Sequence, residues 1–272
     1  MKFSLLSSLI RGKWLIEPLF AIEAHKVIGD IMAGQLAISP EKPMMNLTYK
    51  SSAGSEKSSG MVAVIGLKGT LLKDDQECGP EGMATVGKYL QQADKNTNID
   101  AIVLHVDSPG GTVDGTEQLA NIVKSIQKPV ITYVDGLMAS AALWVGSSAD
   151  EVWASSDTDE VGSVGVLLSF ADVQPMWEAR GVKFHKVVSS YSPDKTKLFD
   201  DLMAGNYDGY RQEFLDPIAL KFQSAVRSNR PAVQDEHLTG KVFLAKDVMG
   251  VFVDRIGTLD QAIARALELT NI

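Results

Sequence analysis

The sequence predicts an α/β domain of repeated βαβ units with a helical arm in front of it. Three patterns lead there. Apolar, β-branched runs of strand length recur at "MVAVIGL" (61–67), "AIVLHV" (101–106) and "PVITYV" (129–134). Between the last two, Leu119, Ile122, Val123 and Ile126 repeat at the i, i+3, i+4, i+7 spacing of an amphipathic helix. Glycine-bearing turns, "DSPGGTVDG" (107–115) and "VDGLMASAALWVG" (134–146), stand where the second and third strands end.

Taken from the N-terminus, "MKFSLLSSLI" has a lysine and a short apolar stretch that Arg11 and Lys13 end, with no small-residue cleavage pattern after it. No run approaches the roughly 18 apolar residues of a membrane span, so the expectation is a soluble, unprocessed, cytoplasmic chain. "WLIEPLFAIEAHKVIGDIMAG" (14–34) has helical spacing broken by Pro18, and residues 1–50 read as a helical arm. "SSAGSEKSSG" (51–60), with five Ser and two Gly, has linker composition. A domain over 61–272 follows. Its strand at 101–106 is apolar enough to be covered on both faces, and the βαβ order predicts right-handed crossovers between parallel neighbours. Further strands are expected at "EVWA" (151–154), "SVGVLLSF" (163–170) and "VKFHKVV" (182–188), and helices at "ADVQPMWEARG" (171–181) and around Leu259, Ile263, Ala266 and Leu267. There is no internal repeat.

Acidic residues exceed basic ones, 34 against 26, for a net charge of −8, and no segment forms a basic stripe. Nucleic acid is therefore not an expected partner. The single cysteine, Cys78, has no partner for an internal disulfide, which suits a reducing compartment. With no HExxH and no clustered His or Cys, neither a metal nor a cofactor is expected.

In open α/β sheets, ligands sit beyond the carboxyl ends of the strands. Ser140 is placed near the first turn of the helix after the third strand. It follows Gly111 by 29 residues, one βαβ repeat, so the two turns are expected side by side. A serine attacking an amide carbonyl creates an oxyanion, and preorganised backbone N–H groups stabilise that charge more than the planar substrate. The candidate donors are the amides of Gly111 and Ala141. The same residues also suit a plain strand-to-helix turn, with Ala139, Ser140, Ala141 and Ala142 small for close packing. Of the four histidines, His25, His105, His185 and His237, none stands at a strand's carboxyl end, which weakens a Ser-His-Asp reading and leaves lysine as a base.

"DSPGGTVDG", "DGLMASAALW", "VGSVGV", a lysine-bearing loop and "GKVFLAKDVMGVFVDRIGTLDQAI" together resemble the signal peptide peptidase A family of serine peptidases, in order and over roughly residues 61–268. That family is related in fold to the Clp protease proteolytic subunit and the crotonases. Within it the chain looks most like the phage and prophage members that lack a membrane anchor and act on capsid or scaffold proteins in head assembly. The arm resembles theirs as well. The resemblance implies a Clp/crotonase-like fold and an ATP-independent endopeptidase with a Ser-Lys dyad. In it Ser140 is nucleophile, Ser163 holds the lysine, and the lysine comes from "YSPDKTKLFD": Lys195, with Lys197 as alternate. It also implies a homo-oligomeric ring whose protomers share active sites. The sequence departs from many members in having Ala141 and Ala142 where they have glycine, and in a longer lysine loop. Only about one ordinary lysine in 2,500 is neutral at pH 7, so this lysine must be buried by its own loop or by a neighbouring subunit. The alternatives are a signal-peptide-degrading peptidase of the same family, a crotonase-type acyl-coenzyme A enzyme, and a non-catalytic assembly scaffold.

Overall fold

The computed structural model describes residues 13–16, 47–53, 59–75, 79–170 and 172–270. The strands along the chain are β1 (Lys13–Ile16), β2 (Leu47–Ala53), β3 (Ser59–Lys68), β4 (Ala101–Ser108), β5 (Gly110–Thr112), β6 (Val130–Ala139), β7 (Glu151–Ala154), β8 (Glu160–Gly162), β9 (Leu167–Leu168), β10 (Val242–Leu244) and β11 (Arg255–Ile256). The main helices are α1 (Met83–Lys95), α2 (Thr116–Ser125), α3 (Ala141–Gly146), α4 (Gln174–Glu178), α5 (Lys197–Met203), α6 (Asp216–Asn229) and α7 (Leu259–Leu269).

The expected α/β class holds: β3, β4 and β6 run parallel at the centre of an eight-stranded sheet ordered β10-β8-β6-β4-β3-β2, with β7 branching from β6 and β11 pairing with β7. Successive side chains of β4 point to opposite faces. Ile102, Leu104 and Val106 join the large core beneath α1 and α2, whereas Ala101 and Val103 pack with Ala262, Ile263, Ala266 and Leu267 of α7. Burial on both faces is why this strand reads as an unbroken apolar run. The expected face of α2 packs on this core, with Leu119 and Val123 buried and Ile122 and Ile126 partly so; α1, a helix the sequence reading does not name, buries Met83, Val86, Leu90 and Ala93. Among the described residues no helix is long and apolar enough to cross a membrane.

β6 is longer than expected and divides its partners. Ile131–Val134 pairs with β7 and Leu137–Ala139 with β8. Gly136, at φ +107°, marks the fork, a conformation open to glycine at little cost. The second half of β6 carries the chain past the end of β7 and delivers Ser140 beside Ser163, since Ala139 lies opposite Gly162.

Five expectations are corrected. The stretch 51–60 is not a ten-residue linker: Leu47–Ala53 and Ser59–Lys68 are the arms of an antiparallel pair, with Ala53 opposite Ser59, and the domain begins before residue 61. Serine-rich composition signals a linker only where no sheet edge lies alongside, and β3 offers one. Within the arm, Lys13–Ile16 is a strand rather than part of a helix, because β5 and β9 leave a gap that it fills. Residues 17–46 and Cys78 lie outside the described residues. "SVGVLLSF" forms a ladder only at Leu167–Leu168, and the helix in 171–181 is confined to Gln174–Glu178. "VKFHKVV" is no strand: Phe184 is 54% and Val187 96% exposed, and no edge runs beside them among the described residues. Its β-branched pattern gives propensity, but a strand needs a partner.

Candidate active site

The turn after β4 is locked from several sides. The Ser108 hydroxyl donates to the Gly69 carbonyl at 2.6 Å and accepts from the Gly110 N–H at 3.1 Å. Leu71 donates to the Gly110 carbonyl and accepts from the Thr112 N–H, both at 2.8 Å. The two glycines are there for close approach. Gly110 sits at φ +94°, and a Cβ on it would fall on the Leu15 carbonyl oxygen and 2.9 Å from both the Ala139 carbonyl oxygen and the Ala141 nitrogen. A Cβ on Gly111 would overlap the backbone of Leu71.

Ser140 stands across from this turn at φ +54°, ψ −117°, the N-cap of α3. Among the described residues only Ser140 and Ser163, at φ +58°, are non-glycine residues with positive φ. Such a conformation costs on the order of 1–3 kcal/mol, so the surroundings must enforce it. They do: Ser140 N–H donates to the Gly162 carbonyl at 2.8 Å, its own carbonyl accepts from Trp144 N–H at 3.0 Å, and all of Ala141–Gly146 is buried. Ser163 N–H donates to the Lys241 carbonyl at 2.8 Å. The Ser140 hydroxyl has a long contact to the Gly165 carbonyl, 3.4 Å, and the residue is 1% exposed. The Ala141 amide opens a helix and so has no acceptor within it.

Thus the chain brings Ser140, Ala141, Gly111 and Ser163 to one place, the meeting of β4, β5, β6 and β8. A cavity of about 450 Å³ opens beside Ser163, lined in part by Ile16, Gly165, Leu167 and Leu238. Neither expected lysine hydrogen-bonds Ser140 or Ser163 or lines this cavity. Lys195 and Lys197 are exposed at the start of α5, with no ion pair to any described residue. Lys186, which the sequence reading passed over, lies on the same exposed segment and pairs with Asp200 at 2.5 Å.

No described histidine pairs with Ser140. His185 is exposed, and His237 accepts the Gln234 N–H on Nδ1 at 3.0 Å. His105 lies against Tyr133, ring centroids 5.6 Å apart, with Nε2 2.9 Å from Asp135 and 3.1 Å from the Lys68 ammonium. One nitrogen can donate to the carboxylate or accept from the ammonium, not both. Burial, and then Lys68, push this imidazole below its ordinary range against the opposing pull of Asp135. The hydrogen bond from His105 holds the Asp135 carboxyl below the usual carboxylate range, aided by Lys68.

A sequence model of peptidase family S49 matches residues 122–272, which include Ser140 and Ser163. The chain belongs to peptidase family S49. A Clp protease model matches residues 76–154, the part that holds the Gly110–Gly111 turn and Ser140. Protease 4 of Haemophilus influenzae is 28% identical over 216 residues, 77% of this chain and 35% of that protein. Capsid assembly protease C of Escherichia phage lambda is 25% identical over 256 residues, 85% of this chain and 57% of that protein. This S49 chain therefore spans about a third of Protease 4 and somewhat over half of the phage protein.

Proposed function

We propose that this chain is an ATP-independent serine endopeptidase in which Ser140 is the nucleophile and the amides of Gly111 and Ala141 form the oxyanion hole. The observation that carries this reading is Ser140 held at positive φ against a double-glycine turn. A merely small packing residue at the end of β6 has no need of that strain. Ser140 Oγ adds to the substrate carbonyl carbon, the oxyanion is met by the two N–H groups, and the amine leaves with a proton from the base. Water then hydrolyses the acyl-serine. Each oxyanion donor is expected to contribute on the order of 3 kcal/mol of barrier lowering.

The base is Lys195, with Lys197 as alternate, supplied by a second copy of the chain, and Ser163 of the receiving protomer holds it. The reading is supported by the lysine segment's exposure: Phe184, Val187, Tyr191 and Phe199 are between 54% and 96% exposed, apolar area that suits burial against another subunit. Such burial would also strip water from the ammonium and favour its neutral form. Similarity to Capsid assembly protease C supports a capsid or scaffold protein as substrate during prohead maturation.

Mixing inactive Ser140→Ala and Lys195→Ala proteins under subunit exchange tests the arrangement. Peptide hydrolysis should return in the mixture and in neither parent. A mixture that stays inactive, with exchange verified by native mass spectrometry, contradicts a shared site. Parallel mixtures with Lys183→Ala, Lys186→Ala and Lys197→Ala identify which lysine of the segment is used.

A further inference from the structure

The slot in which this site would hold a peptide is already filled, by the chain itself. β1 (Lys13–Ile16) lies antiparallel between β5 and β9, with Trp14 opposite both Thr112 and Leu167, Leu15 opposite Gly111, and Ile16 opposite Gly110. β5 and β9 have three and two residues, and β1 is the middle strand that joins them. This is how an extended peptide is recognised by strand addition, through main-chain bonds on both sides.

The register places one bond at the reacting point. Leu71 takes the Gly110 carbonyl and the Thr112 amide on one side, so the Gly111 N–H and carbonyl face the other side, toward Leu15. The Leu15 carbonyl oxygen and the Ala141 nitrogen both lie against the point where a Cβ on Gly110 would stand. The Leu15 carbonyl thus lies beside the Gly111 N–H across the ladder and near the Ala141 nitrogen, the two amides proposed as the oxyanion hole. Its side chain is fully buried in the main core, and Ile16 lies beside the cavity next to Ser163. With β1 in place Ser140 is 1% exposed, closed to any other substrate. The Trp14 indole N–H is buried with no hydrogen-bond partner among the described residues, a cost that a strand selected only for permanence has no reason to carry.

We infer that the arm is the enzyme's first substrate: Lys13–Ile16 occupies the peptide slot, and the Leu15–Ile16 bond is a self-cleavage site whose hydrolysis opens the slot. This rests on Ser140 as nucleophile. Ser140 Oγ gives its proton to the base and bonds to the Leu15 carbonyl carbon. The bond to the Ile16 nitrogen breaks and that nitrogen leaves as an amine with the proton. Water adds to the Leu15 ester, releasing a Leu15 carboxyl group and restoring the serine hydroxyl. The substrate class follows: extended peptides with a leucine-sized apolar residue before the cut and a bulky aromatic before that.

Intact-mass measurement of the full chain over time, alongside hydrolysis of the peptide GKWLIEPLF (residues 12–20), tests this. The expected result is conversion to a species that begins at Ile16, a cut after leucine in the peptide, and a Ser140→Ala protein that stays whole. Leu15→Asp should slow the self-cut at least tenfold while Leu15→Met retains it, both checked for folding by thermal melting. If the wild type hydrolyses casein but keeps its arm uncut at 15–16 and leaves the peptide intact, the inference is overturned and the peptidase reading stands. If it cleaves neither casein nor itself, both fall.

Discussion

The Ser140 amide donates to the Gly162 carbonyl at 2.8 Å, so the residue at the end of β6 is pinned to β8 just before Ser163. One hydrogen bond thus couples the two positive-φ serines, and it explains how a conformation unfavourable to any L side chain persists at the site.

That strain is measurable. Ser140→Ala keeps a Cβ at φ +54°, whereas Ser140→Gly removes it. Both variants should lose peptide hydrolysis, and the glycine variant should be the more stable by about 1 kcal/mol, or roughly 2–4 °C in melting temperature for a chain of this size. Equal melting temperatures for the two would show that Ser140 is not strained.

Gly111→Ala should be more damaging than a surface Gly→Ala change. The added methyl meets the Leu71 backbone, which cannot swing away as a side chain tip can. Peptide hydrolysis is expected to fall by about 100-fold or more as the Gly111 amide is displaced from the oxyanion position. Gly205→Ala, at a positive φ with open space around it, serves as the control that carries backbone strain alone. A Gly111→Ala enzyme of near-normal turnover would remove that amide from the site.

Much of this arrangement is legible in the sequence, and the limits are physical. The strands at 101–106 and 129–134 and the Gly110–Gly111 and Ser140 turns can be read because burial on two faces and glycine's φ freedom leave local signatures. The strand at Lys13–Ile16 cannot, since it is made by a gap between β5 and β9 far along the chain, and local spacing there favours a helix. The same holds for "VKFHKVV", whose pattern asks for a sheet edge that no described strand brings to it. The position of the lysine relative to Ser140 is likewise not local information: exposed Lys195 and Lys197 look like any solvated pair.

Stability should fall as solution is acidified below neutrality, with His105 as one identifiable source. Its imidazole is held below its ordinary range, chiefly by burial, so the unfolded chain takes up a proton first. The contribution is fully present above about pH 6.5, the unfolded value, and is lost as pH falls toward the lower folded value. Asp135, also held low, adds a loss of the same sign at more acid pH, below about 3.9. Lys68, Asp107 and Asp135 are the charged groups around the ring. In urea titrations from pH 7.5 to 5, His105→Gln should lose less of its midpoint than the wild type. Parallel losses would exclude His105 as a source.

Covalent labelling reads out whether Ser140 is an activated nucleophile facing the Gly111 and Ala141 amides. The purified chain, after its self-cut or with residues 1–15 removed, is treated with a fluorophosphonate and mapped by peptide mass spectrometry. One adduct is expected, on the peptide containing Ser140, absent from Ser140→Ala and suppressed while the arm remains in the slot. A folded, arm-free protein that takes no label, or takes it on another serine, would contradict it.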